Sequence, residues 1–417
     1  MSQPNILFII VVIISFISSC SRPIDHPWKA STISREDSAP GRLLIADLSQ
    51  DDSPELLVSW PELGEVSIYS FPAPNQLDKD WPEVRLKNIP RVESFHLWKT
   101  KENGKTSTYL IACSGGPEGQ VFKIKIPKDP DAFSSATQWT MEALPIPKAH
   151  WTTIHSGDFN NDGIVDLVLG SRVINEDLSG TPILLWMSQS SEQGWESFEI
   201  GKSGDVITLY TEDVEGDGDL DLWVVDSSNA AGNIGAYWLE NPWPENKSPV
   251  WRVQSITSSS WKPKGARPVD IDGDKEMDLL ATFSASAGSN RILCFKKVTA
   301  GGQVAWLPLP FPLSGDQGEI LEIALGDVDR DGFKDILTSF EKAEAPLEGL
   351  LWFQHSGKSA LADWKRYPLS GSSGRTFTAL ELYDIDKDGD QDVISIESGE
   401  NQGVVWFENP AEPPKVP

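Results

Sequence analysis

Tryptophan recurs along this chain at a nearly fixed interval. Trp28, Trp81, Trp139, Trp195, Trp251, Trp306 and Trp364 each open a short strand-like run, at spacings of 53, 58, 56, 56, 55 and 58 residues. A second series of apolar runs keeps the same period: "GEVSIYSFP", "GQVFKIKIP", "TPILLWMSQ", "GAYWLENP", "NRILCFKK", "GLLWFQH" and "GVVWFENP". Two independent series of seven limit the fold severely, because a repeat of this size buries its apolar face only against the next copy.

Each unit holds about four short runs with period-two alternation and β-branched or aromatic content, separated by Gly, Pro, Ser and Asn. No window sustains a helical period. Four strands in each of seven units predict an all-β chain, a seven-bladed β-propeller of four-stranded blades. A β-helix or an open sandwich array is the alternative. The termini predict how the ring closes. If each tryptophan-led strand is the outer strand of the blade before it, "WKASTIS" has no preceding blade and the last repeat, ending "VVWFENP", lacks an outer strand. The N-terminal strand is therefore expected to join the last blade, leaving no open edge.

A third series is acidic. The knots begin at Asp158, Asp213, Asp270, Asp327 and Asp384, with a weaker copy at Asp47, and each runs into an apolar strand such as "DLVLGS" or "DLWVVD". They read DxNxDGxxD, DxExDGxxD, DxDxDKxxD and, twice, DxDxDGxxD. Alternate positions 1, 3 and 5 put three side-chain oxygens inside a tight loop, and Gly at position 6 permits the positive φ of the turn. With a carbonyl at position 7 and a carboxylate at position 9, the donor set is the all-oxygen shell that Ca²⁺ favours. The five loops carry 22 of the 62 acids, so much of the net charge of −27 needs no charged partner. That charge repels phosphate backbones, and nucleic acid is not an expected ligand.

The knot opens like an EF-hand but ends at position 9 and is flanked by strands, so it is a hairpin loop. It is similar to the calcium loops of the FG-GAP and VCBS repeat family, whose members are β-propellers; most copies lack the Phe-Gly and Gly-Ala-Pro phrases, and VCBS-type is the closer label. The resemblance spans about residues 28 to 410 and implies about five structural Ca²⁺ ions. The ligands it implies are Asp158, Asn160, Asp162 and Asp166; Asp213, Glu215, Asp217 and Asp221; and Asp270, Asp272, Asp274 and Asp278. Asp327, Asp329, Asp331 and Asp335, then Asp384, Asp386, Asp388 and Asp392, complete the five sets. Lys275 stands where the third set needs Gly, and the first repeat offers Asp47, Ser49, Asp51 and Glu55 without a Gly. The second repeat's loop, "LWKTKENGKTSTYLIAC", has lost its acids.

The first 20 residues hold an apolar core from Ile6 to Phe16, too short to span a bilayer and ending in "ISSC". This resembles a bacterial lipoprotein signal, with Cys20 as the lipidated residue, although no Lys or Arg precedes the core. Residues 21–27 then form a short linker, 28–410 the propeller and 411–417 a Pro-rich tail. A monomer held to the cell envelope by its lipid alone, on the outer membrane or cell surface, is the expected setting. Cys113 and Cys294 lie in apolar runs without CxxC spacing and are expected to be buried free thiols.

A binding or scaffolding role is expected, with an extracellular glycan or envelope protein as partner. Loops opposite the acid knots are the expected face. Trp151 and Trp261 fall outside the repeat pattern, each just ahead of a first strand, and His150, Lys262, Lys264, Arg267, Arg172, Arg42 and Arg375 are expected on the same side. Of these, Trp151, Trp261, Lys262 and Arg267 are the candidate ligand contacts. Catalytic residues are not apparent: His is scarce and no HExxH, GxSxG or phosphate-binding loop occurs. The phrases "WLENP" and "WFENP" resemble those of propellers attached to carbohydrate-active lyases and dehydratases, which is the alternative function.

Overall fold

The alternating runs form antiparallel strands, four to a sheet. After β1 (Lys29–Ser34), blade one comprises β2 (Leu43–Ala46), β3 (Glu55–Trp60), β4 (Glu65–Ser70) and β5 (Glu83–Lys87). Blade two comprises β6 (Val92–Glu102), β7 (Lys105–Ser114), β8 (Val121–Lys125) and β9 (Thr140–Ala143); blade three, β10 (Trp151–Gly157), β11 (Asp166–Ser171), β12 (Ile183–Ser190) and β13 (Gly194–Lys202). Blade four follows as β14 (Val206–Glu212), β15 (Asp221–Asp226), β16 (Gly235–Glu240) and β17 (Arg252–Ser255). Blade five has β18 (Pro263–Val269), β19 (Asp278–Phe283), β20 (Arg291–Ala300) and β21 (Gln303–Pro310). Blade six has β22 (Glu319–Gly326), β23 (Asp335–Glu341), β24 (Leu350–Gln354) and β25 (Lys365–Pro368), and blade seven β26 (Phe377–Tyr383), β27 (Asp392–Glu397) and β28 (Gly403–Glu408). The computed structural model describes residues 28–410 except 37, 103, 173–182, 191–193, 203, 228–234, 243–249, 258–262, 284–290, 301–302, 312–318, 342, 344–346, 356, 358–363, 372–374 and 399–402.

Within each of the first six blades the strands pair in chain order. The seventh sheet runs β1-β28-β27-β26. Lys29 pairs with Glu408 and Thr32 with Val405, so the N-terminal strand is the outer strand of the last blade, as the termini predict. From blade two to blade seven neighbouring first strands contact one another, β3 meets β6 between blades one and two, and β26 reaches β2 to close the ring. The chain is a seven-bladed β-propeller.

The period of the tryptophans follows from blade stacking. Each tryptophan-led outer strand places its ring on the blade before it. Trp28 meets Trp352 edge-on with centroids 6.2 Å apart, and its backbone N–H donates to Leu369 O at 3.0 Å. Trp195 packs on Trp98 at 5.5 Å, Trp251 on Trp186 at 6.3 Å, Trp306 on Trp223 at 5.1 Å and Trp364 on Phe311 at 5.0 Å. Such pairs add to area burial, and these recur at the seams between blades.

Alternation is weaker in the blades than in the sequence. The second strands β11, β15, β19 and β27 are buried at every position, because both faces of each blade are covered by its neighbours. Outer strands keep exposed faces, as in β9 and β17. Cys113 and Cys294 are buried and unbridged; enclosure pushes each thiol up to about 12. Cys294 takes the place in its third strand that Trp186, Trp238, Trp352 and Trp406 hold in theirs.

Candidate functional site

Six acid loops join first and second strands, and one hydrogen bond defines all of them. The backbone N–H at position 6 donates to the position 1 carboxylate: Gly163 to Asp158 at 2.8 Å, and Gly218 to Asp213, Lys275 to Asp270, Gly332 to Asp327 and Gly389 to Asp384 each at 3.0 Å. Asp52 does the same to Asp47 at 3.3 Å, so the first repeat folds its loop like the others despite its missing Gly. Residues at position 6 all have positive φ, Lys275 at 72° and Asp52 at 67° included. Blade two lacks the loop. β6 and β7 instead pair out to Glu102 and Lys105 around a tight turn.

These bonds turn the acids inward. Asp270, Asp272 and Asp274 bring carboxylate oxygens within 4.8 Å of one another, and so do Asp327, Asp329 and Asp331, and Asp384, Asp386 and Asp388. In blade four the set is Asp213, Glu215 and Asp221. The loop at Asp158 has Asn160 between its two acids; Asn160 donates to Asp162 at 3.2 Å. Three carboxylates so close repel unless a cation lies among them, and an all-oxygen donor set suits Ca²⁺. In blades four, six and seven the residues present fit the ion.

Position 9 is also an anchor. Asp166, Asp221, Asp278, Asp335 and Asp392 are fully buried, and one oxygen of each accepts a backbone N–H from the third strand or the residue after it: Gln189, Asn241, Lys297, His355 and Asn409, at 2.7–2.9 Å. In three of these the other oxygen accepts from position 2, Val214 to Asp221 and Ile385 to Asp392 at 3.0 Å and Val328 to Asp335 at 3.2 Å, and in blade one Leu48 donates likewise to Glu55 at 2.9 Å. Position 9 thus staples the loop to its own blade. Burial pushes Asp166 and Asp392 up to about 7 and Asp335 to about 8.

The third-strand residue beside each loop varies: Ser188, Glu240, Lys296, Gln354 and Glu408. In blade five the Lys296 ammonium bonds Asp272 and lies 2.8 Å from Asp274, whose carboxyl it holds below the usual range.

The opposite mouth gathers some of the expected cations and not the expected aromatic. Arg42 Nε donates to the Glu93 carbonyl at 2.8 Å, while Glu93 Oε1 lies 3.1 Å from His150 Nε2 and 3.5 Å from Arg172. Burial works against the Glu93 charge, yet His150, Arg172 and Arg42 hold its carboxyl below the usual range. A Cβ at Gly115 would stand 2.5 Å from Glu93 Oε1 and 2.8 Å from His150 Nε2, so glycine there leaves room for the pair. Trp151 is a correction. It is completely buried in the seam with Trp98, Ile111 and Leu167, its Nε1 donating to Pro147 O at 3.2 Å, and cannot stack on a ligand. Trp261 and Lys262 lie outside the described residues, as do residues 1–27 with Cys20 and the tail 411–417.

Arg267 is a second correction. From the first strand of blade five it reaches across the inner wall of the ring, with Nη1 donating to Tyr210 Oη at 3.0 Å, Nη2 to Glu322 at 3.0 Å and Nε to Ile323 O at 3.1 Å. Enclosure pushes nearby Glu381 up to about 7, against the pull of Arg267. His96 and His155 continue the wall with ring centroids 5.1 Å apart. Enclosure and the second ring depress His96 to about 3. Sequence reasoning missed this polar inner wall.

Residues 158–224 and 213–281 each match the model of the FG-GAP-like repeat, and both matches start on the first acid of a loop and run through the next. Residues 158–281 thus resemble FG-GAP-like repeats. The acid loops that begin at Asp158, Asp213 and Asp270 bound the matched units and are candidate metal sites as well. No curated protein matches the chain. Among solved structures, BBS1N in complex with ARL6DN is 11% identical over 94% of this chain and 98% of that one, with a TM-score of 0.53, and shares the fold. The Saccharomyces cerevisiae core factor is 11% identical over 91% of this chain and 60% of that one, TM-score 0.49. The Chaetomium thermophilum Nup170 N-terminal domain in complex with Nup53 is 10% identical over 92% and 64%, TM-score 0.45. A propeller that contains stretches matching the FG-GAP-like repeat fits a binding or scaffolding module.

Proposed function

We propose that this propeller is an extracytoplasmic, lipid-anchored binding module, clipped by structural calcium on one face and binding an anionic glycan or envelope protein on the other. The meeting of Arg42, His150 and Arg172 on Glu93 carries the reading of the binding face. Two guanidiniums against one carboxylate leave positive charge uncancelled on a chain of net charge −27, and the Arg172 side chain keeps 39% of its surface open. An anionic group is the chemistry that completes such a cluster. The calcium half rests on the oxygen clusters and on FG-GAP repeats, which often bind the ion. Anchoring rests on "ISSC" and is read directly as diacylglyceryl mass on Cys20 of the mature protein.

A glycan array with neutral and anionic members tests the binding face, using the wild type and an Arg42→Ala, Arg172→Ala double variant. Anionic hits lost in the variant with melting unchanged are the expected result. Wild type that captures no glycan, and no partner from envelope extracts, overturns it. The carbohydrate-active alternative draws on Glu381 and Glu322 beside Tyr210 and Arg267 on the inner wall. Shortened or unsaturated sugar released from an array hit, and abolished by Glu381→Gln, is its readout.

A further inference from the structure

We propose that the acid loop of blade five carries its own cation, Lys296, and takes up no calcium. The inference rests on reading the other acid loops as calcium sites and says which loop is not one. Register places the residue beside each loop at a fixed point, two beyond the position that pairs across to the second strand: Trp186 then Ser188, Trp238 then Glu240, Trp352 then Gln354, Trp406 then Glu408. In blades three, four, six and seven that residue is neutral or acidic. Blade five alone among these five puts a lysine there, after Cys294.

The lysine is used. Its ammonium bonds both Asp272 and Asp274, two of the three acids that would hold the ion. The next residue, Lys297, turns its own ammonium to Glu276 of the same loop at 2.9 Å while its backbone N–H holds Asp278 at 2.8 Å. Two successive lysines thus pair with three of the loop's five acids, Asp272, Asp274 and Glu276. A calcium ion among Asp270, Asp272 and Asp274 would have to displace one ammonium from its two carboxylates and then remain beside it, with like charges a few ångströms apart. The turn supports the same assignment. Lys275 occupies the left-handed position 6 that is Gly in the other four strong loops, so the fold is kept while the loop's charge is lowered.

Calcium counting by native mass spectrometry on the intact chain tests this. The variants are Lys296→Gln, Lys296→Arg, Asp272→Asn with Asp274→Asn, and Asp327→Asn with Asp329→Asn as the control in blade six. Expected are one ion more for Lys296→Gln, no change for Lys296→Arg or the blade-five double variant, and one ion fewer for the control. Loss of an ion from the blade-five double variant, or no gain in Lys296→Gln, overturns the inference while leaving the calcium reading intact. Wild type and control both free of calcium overturn the calcium reading instead. Melting in chelator guards against misfolding: Lys296→Gln melts lower there than wild type and recovers when Asp272→Asn and Asp274→Asn are added.

Discussion

Position 4 of the acid loops holds Gln50, Asn161, Gly216, Gly273, Arg330 and Lys387, and all six are left-handed, with φ from 54° to 80°. The pattern of acids at positions 1, 3 and 5 was legible because the ion chemistry restricts those side chains. Position 4 was not, since five residue types share a backbone shape that only the loop's hydrogen bonds impose. Trp151 and Arg267 were misplaced for a related reason. Chain order says which end of a blade a residue occupies, but not whether its side chain turns into a seam, onto the inner wall or out to a ligand. The inner wall yields a pH prediction. The Glu381 carboxyl sits at about 7 in the fold against 4.5 for the free group, so the folded state keeps a proton that the unfolded chain has lost. Its contribution is complete below the unfolded value and fades as pH rises through the folded one, so stability falls across that window. Urea midpoints in saturating calcium at about pH 5 and about pH 8 should show a fall that Glu381→Gln, neutral at both, reduces. An equal fall in both proteins contradicts the assignment.

At the scale of elements, the closure of the ring was readable from a count of strands: an unpaired run at the start and a missing one at the end. Uniform burial of the second strands was not, because "DLWVVD" and "DVISIE" show no more than a short apolar run whether one face or two are covered. β1 is held by its ladder to β28 and by Trp28, which packs with Trp352, Tyr367 and Leu369 of blade six. Removing residues 28–34 therefore opens an edge and empties a seam together. Hydrogen exchange should rise first in β28, whose Val404 to Phe407 lose their partners, and in β24 across the seam. Unchanged exchange there would mean that β1 contributes little to the closed ring.

For the whole molecule, the proposed reading gives the two faces of one ring different work, calcium at the acid loops and a ligand at the cluster on Glu93. The loops' N–H to carboxylate bonds fix their shape but leave the clustered carboxylates to repel one another, so on the proposed reading the calcium-free ring is the weaker state. An ion that binds only the folded chain adds about 2.7 kcal/mol for each site held at 100 times its dissociation constant. Extracellular modules bind in the range of about 10⁻⁴–10⁻³ M, so that gain is approached at roughly 10 mM calcium and above. Melting followed by calorimetry in chelator and then in rising calcium is the most direct measurement. With several sites filling, the transition should climb by upwards of about 10 °C, and a double variant at Asp384 and Asp386 should climb less. A melting temperature that is the same in chelator and in calcium would contradict the account.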